Sequence, residues 1–90
     1  MATVGKHVRY GGHVQGVGFR YTAQALAVRY PVAGYVRNLP DGTVELVAEG
    51  EPGPVEEFLA ALAARMGDCI TRATVTERAP AGHHGFHVRH

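Results

Sequence analysis

Six runs of residues, each keeping a regular spacing of its apolar positions, limit what this chain can fold into. The clearest has helical period: Val55, Phe58, Leu59, Leu62, Ala63 and Met66 recur three and four positions apart along one face. Pro54 stands near its start, where a missing N–H is harmless, and Glu56 and Glu57 suit the positive end of a helix dipole. Gly67 closes the run, so the spacing predicts a helix over about Pro54–Met66. A second helical face comes from Phe19, Ala23, Leu26, Ala27 and Tyr30; it begins near Arg20 and is stopped by Pro31. Elsewhere the period drops to two. Val8, Tyr10 and Val14 alternate with His7, Arg9 and His13, and Gly34, Val36 and Asn38 alternate with Tyr35, Arg37 and Leu39. Val44, Leu46 and Ala48 alternate with Thr43, Glu45 and Val47, while Ala73 and Val75 alternate with Arg72, Thr74 and Thr76. Phe86 and Val88 close the chain as a short final strand, and Pro40-Asp41-Gly42 reads as a tight hairpin turn.

The predicted order is βαββαβ with a short fifth C-terminal strand. That is the split βαβ arrangement of an α+β fold, with two helices on one face of an antiparallel sheet. Right-handed crossovers place the first and third strands in the middle. A frayed tail with only four strands is the alternative, because the last run is short.

Length and composition bound the rest. Ninety residues and 9.6 kDa allow a single domain over residues 1–90. An apolar share of 46% with 19% charged residues is the mix of a soluble globular chain. The formal charge is only +1, which gives no electrostatic footprint for nucleic acid or membrane. Arg outnumbers Lys eight to one, but no run of like charge forms, so the arginines read as scattered surface groups. No apolar stretch is long enough for a membrane span, and no signal-peptide pattern opens the chain. With Cys69 as the only cysteine, no intramolecular disulfide can form, and a cytoplasmic location is expected. The sequence contains no Ser, which excludes a serine nucleophile, and Asn38 is its only Asn.

The segment Gly12-His13-Val14-Gln15-Gly16-Val17-Gly18-Phe19-Arg20 joins the first predicted strand to the first predicted helix. Gly16 and Gly18 can take positive φ and leave no Cβ in the way, so backbone N–H groups can point at a common centre. The following helix adds its own free N–H groups, and Arg20 offers a planar fork of donors. Together these suit a small dianion such as a phosphoryl group. A glycine pair before a helix is, taken alone, more often a plain connection. The Gly-Lys-Ser/Thr ending of a nucleotide loop is missing, and a dinucleotide fingerprint fails at Tyr21. Cysteine phosphatases space His-Cys, five residues and Arg in the same way, but Val14 stands where their thiol would be. If this loop holds phosphate, the attacking group is water.

Asn38 is the candidate for holding that water, since a carboxamide can accept from water and donate to a phosphoryl oxygen at once. By residue type alone, Asn38 fits better as the opening of the Pro40-Asp41-Gly42 turn.

Gly12-x-Val14-Gln15-Gly16-Val17-x-Phe19-Arg20 and Gly34-x-Val36-x-Asn38-x-x-Asp41-Gly42 resemble, complete and in order, the two signature motifs of the acylphosphatase family. The similarity extends over nearly the whole chain, including Val47-Ala48-Glu49-Gly50. The resemblance implies a ferredoxin-like α/β sandwich and hydrolysis of the carboxyl–phosphate bond of acyl phosphates without metal or cofactor. It implies that Arg20 binds phosphate and that Asn38 positions the attacking water. It also implies that Gln15, Gly16, Val17, Gly18 and Phe19 supply cradle amides. A small-molecule acyl phosphate is then the substrate, inorganic phosphate the product and competitive ligand, and the protein a monomer. Tyr35 stands where the family more often has Trp, as an aromatic plate on the side wall.

Two further features bear on other functions. His83, His84, His87 and His90 invite a metal reading. However, His84 and His87 on a strand point to opposite faces, and no Cys or carboxylate nearby completes a tetrahedral set. Cys69 reads as a small packing residue. The alternative function is a non-catalytic ferredoxin-like module, binding a ligand or RNA or acting in regulation. RNA recognition on such a sheet needs exposed aromatics on its central strands.

Overall fold

The computed structural model describes residues 3–90. The chain runs β1 (Val4–Gly12), α1 (Phe19–Arg29), β2 (Ala33–Asn38), β3 (Val44–Gly50), α2 (Pro52–Met66), β4 (Ile70–Arg78) and β5 (Phe86–Arg89). The five strands form one sheet in the order β4-β1-β3-β2-β5, with β1 and β3 inside as predicted. β1 pairs antiparallel with β3 and β4, and β2 pairs antiparallel with β3. β5 departs from the predicted antiparallel sheet by pairing parallel to β2, from Gly34↔Phe86 to Arg37↔Arg89. The direction follows from topology. β4 runs opposite to β2, so a chain that crosses to the far edge and reverses arrives parallel to β2. The result is an α+β, ferredoxin-like sandwich with a mixed sheet.

One sheet face carries the core. Val8, Tyr10, Val36, Val44, Leu46 and Ala48 lie buried with Phe19, Ala23 and Leu26 of α1 and Val55, Phe58, Leu62 and Met66 of α2. Phe58 and Phe86 meet edge to face at 5.4 Å, which anchors the short β5 beneath the helices.

Several predicted boundaries shift for physical reasons. α2 starts at Pro52 rather than Pro54, because both prolines fit a first turn whose N–H groups have no intrahelical partner. Its buried stripe is Val55, Phe58, Leu62 and Met66, while Ala63 is exposed. β1 stops at Gly12, so the buried Val14 belongs to the following loop and not to the strand. β4 is exposed from Thr71 to Arg78, and Val75 is 54% accessible. The two helices pack on β1, β2, β3 and β5, and the opposite edge strand β4 lies largely beyond their reach.

The opposite face is polar and ordered. The register aligns Arg9, Glu45, Arg37 and Arg89 in one transverse row across β1, β3, β2 and β5, so these arginines are not scattered. Glu45 accepts from Arg37 Nε at 2.6 Å, Tyr35 Oη at 3.3 Å and His7 Nε2 at 2.9 Å. Burial opposes its charge, yet His7 and Arg37 hold its carboxyl below the ordinary range. Glu49, buried at the end of β3, accepts backbone N–H bonds from Ala81, Gly82 and His83. It thereby fixes the crossing from β4 to β5.

Candidate active site

The site begins where β1 bends. The register slips between Gly11 and Gly12, and Gly12 has φ +118°. A Cβ there would stand 2.6 Å from the Cys69 carbonyl oxygen, so glycine allows the close approach at which the strand turns away. The loop then enters α1 through Gly16 and Gly18, whose φ values of +76° and +78° realise the predicted left-handed conformations. Phe19, 2% exposed, packs against Tyr10 at 4.9 Å and fixes the start of the helix. The first helical bond runs from Thr22 N–H to Gly18 O at 2.9 Å. No side chain caps α1 and no acidic residue occupies its first turn. The amides of Phe19, Arg20 and Tyr21 therefore precede that bond, at a dipole end that no carboxylate offsets.

A pocket of about 260 Å³ opens at this helix start, lined by Val14, Gly16, Gly18, Phe19, Arg20, Tyr21 and Asn38. Arg20 and Asn38, paired only by motif in the sequence, share it. Gln15 and Val17 complete the loop without lining the pocket. Hollows of about 330 and 360 Å³ near Thr3 and Pro80 hold neither residue. Chemistry, not size, therefore marks the site.

Gln15 has a second task that residue type did not reveal. Its Nε2 donates to Leu39 O at 2.8 Å and Thr43 O at 2.9 Å, stapling the glycine loop to the β2–β3 turn. That turn is held by Asp41, whose Oδ1 accepts from Thr43 Oγ1 at 2.6 Å and Thr43 N–H at 3.0 Å. The Thr43 hydroxyl, followed by its backbone N–H, lowers the Asp41 carboxyl pKa below its ordinary value. Asp41 thus does the work that Asn38 could have done as a turn opener. The half-buried carboxamide of Asn38 stands at the pocket with no side-chain hydrogen bond among the described residues.

Arg20 is oriented by β5. Its Nη1 donates to Arg89 O at 3.3 Å and to His90 Nδ1 at 3.2 Å. Arginine has only donors, so the imidazole nitrogen is the acceptor. The other guanidinium nitrogens remain for a ligand. This support was invisible in the sequence, because a backbone carbonyl carries no residue signature. Tyr35 does not wall the pocket. It lies on the opposite sheet face with the Arg89 guanidinium 3.9 Å above its ring and His83 at its edge. Tyr21, which lines the pocket, was passed over. Its place beside Arg20 in the first turn was the available signal.

The family model for acylphosphatase matches residues 6–88. The chain belongs to the acylphosphatase family. An acylphosphatase of Thermococcus kodakarensis is 45% identical over 91 residues, covering 98% of each chain. One from Thermus thermophilus is 45% identical over 80 residues, covering 86% of this chain and 89% of its own. The crystal structure of acylphosphatase from Bacillus subtilis superposes with a TM-score of 0.89 at 37% identity, over 97% of this chain and 99% of that one. The family's scaffold thus extends over nearly the whole of the chain, including the short β5. No helix among the described residues is long and apolar enough to cross a membrane.

Proposed function

We propose that the protein hydrolyses the carboxyl–phosphate bond of small acyl phosphates by direct attack of water at phosphorus. The observation that carries this is the composition of the pocket. A guanidinium, free helix-start amides and a free carboxamide meet there, and no thiol, imidazole or carboxylate lines it. Such a site positions and stabilises charge, and it lacks the thiol, imidazole or carboxylate that most often serves as nucleophile or general base.

An acyl phosphate suits that equipment. Its carboxylate leaves without prior protonation, so the reaction needs orientation and charge stabilisation more than proton transfer. Arg20 and the amides of the Gly16–Arg20 segment hold the phosphoryl oxygens, and Asn38 aims the water. The water oxygen forms its bond to phosphorus as the P–O bond to the acyl group breaks. The electron pair leaves with the carboxylate, and a water proton passes to a phosphoryl oxygen. Inorganic phosphate is the product and competes for the same donors.

This reading needs neither metal nor cofactor. Among the described residues no three His, Cys, Asp or Glu side chains gather as metal ligands, and the tail histidines do not converge. The RNA-binding alternative has less support, because Tyr35 is 9% exposed beneath Arg89 and His83. In this reading the protein acts as a monomer in the cytoplasm.

The test is hydrolysis of benzoyl phosphate by the purified protein, with and without a chelator. Release of benzoate and phosphate, unchanged by chelation and competitively inhibited by inorganic phosphate, is the expected result. No turnover, combined with salt-dependent binding of single-stranded RNA, would replace the hydrolase with the binding module.

A further inference from the structure

Tyr21 is the only one of the four tyrosines and three phenylalanines that the fold leaves mostly exposed, at 62%. The core does not require it. α1 buries Phe19, Ala23 and Leu26. At 100° per residue, Tyr21 lies roughly 200° round the helix from Phe19, on the outer side. Helical side chains lean toward the helix N-terminus, so a ring in the first turn leans back over the loop before it. Here the loop's Gly16 and Gly18 carry no side chain and leave open space beside the helix start. Tyr21 itself is among the residues that line the pocket with Arg20 and Asn38, and its exposure places it at the open side.

The rest of that lining offers little to an organic group. Val14 and Phe19 are 1% and 2% exposed, the glycines carry no side chain, and Arg20 and Asn38 are polar. An in-line displacement places the leaving oxygen opposite the attacking water. If Asn38, at the end of β2, holds the water, the acyl group departs away from it, on the side of the loop and the first turn of α1. Tyr21 is the exposed apolar surface on that side.

We propose that Tyr21 is a specificity-determining residue that packs against the acyl group, so that the site favours acyl phosphates with a flat aromatic acyl part over small aliphatic ones. This rests on the roles given above to Arg20 and Asn38.

The experiment compares kcat/KM for benzoyl phosphate and acetyl phosphate in the wild-type protein, Tyr21→Ala and Tyr21→Phe. Thermal denaturation confirms that each variant is folded. The benzoyl-to-acetyl ratio is expected to fall about five- to tenfold in Tyr21→Ala and to return to within about twofold of wild type in Tyr21→Phe, as ring stacking requires. An unchanged ratio in Tyr21→Ala would overturn the proposal. So would failure of Tyr21→Phe to restore it, because the hydroxyl and not the ring would then be responsible. So would an equal loss of inhibition by inorganic phosphate, which would place Tyr21 at the phosphoryl end. In a wild-type protein that hydrolyses neither compound, the hydrolase reading itself fails. In one that hydrolyses both with a ratio indifferent to residue 21, only the role of Tyr21 fails.

Discussion

The two helices of this small domain begin in opposite ways. α1 starts at Gly18 in the left-handed conformation, with Arg20 in its first turn and no carboxylate beside its free amides. α2 starts after Glu51 in extended backbone, with proline in its first turn. Pro52 and Pro54 remove two of the amides that an anion could use, and Glu51 stands at the N-cap with Glu56 and Glu57 in the following turn. Both starts satisfy the same helical geometry, yet only α1 sets proline-free first-turn amides beside an arginine at a pocket. A helix start becomes a site through what the sequence leaves off it as much as through what it adds.

The strongest way to break this comparison is to remove the cation. Arg20→Ala should lower kcat/KM for benzoyl phosphate by about 10³-fold and abolish inhibition by inorganic phosphate, since contacts in both ground state and transition state are lost. Retained phosphate inhibition would mean that the amides alone hold the anion. Asn38→Ala comes next. Its kcat should drop by about 10²-fold while phosphate still inhibits, as the proposed role of the carboxamide in holding the water requires. Joint loss of turnover and inhibition would contradict that division.

Glycine tests the two starts directly. Gly18→Ala meets no neighbour but must adopt positive φ, so thermal or denaturant unfolding should show a loss of about 1–2 kcal/mol together with weaker phosphate inhibition. Gly53→Ala in the first turn of α2 also has space and needs no unusual φ, so it should stabilise by about 0.4–1 kcal/mol and leave inhibition unchanged. Equal signs for the two substitutions would erase the distinction.

The smallest effect concerns the turn beside Asn38. The folded-state pKa of Asp41 lies below its ordinary value, so its contribution is complete at neutral pH. It is lost as pH falls through the folded value, below about pH 4. Acid titration followed by thermal denaturation should show the wild type converging on Asp41→Asn in that range. A gap that persists at low pH would mean that the charge is irrelevant to the turn.

Much of this was legible along the chain. The spacing of Phe58, Leu62 and Met66 gave a helix because a 3.6-residue period with one apolar face has few other ways to be buried. The positive φ of Gly16 and Gly18 was legible because only their residue type adopts it freely. The same local reading failed at Ala73 and Val75. Alternation there implied a buried face, but burial depends on how many strands two helices can cover. It was incomplete for Gln15, whose side chain was anonymous until the β2–β3 turn came within reach.

The sequence by itself determined the element types, the order that specifies a ferredoxin-like sandwich, and the two motifs that mark the family, because each depends on neighbours within one turn or one hairpin. Tertiary structure alone decided that Gln15 staples the glycine loop to the β2–β3 turn and that β5 runs parallel to β2 and supports Arg20. These are contacts between segments tens of residues apart. Their geometry is set by how the helices and strands pack, which no local run of residues encodes.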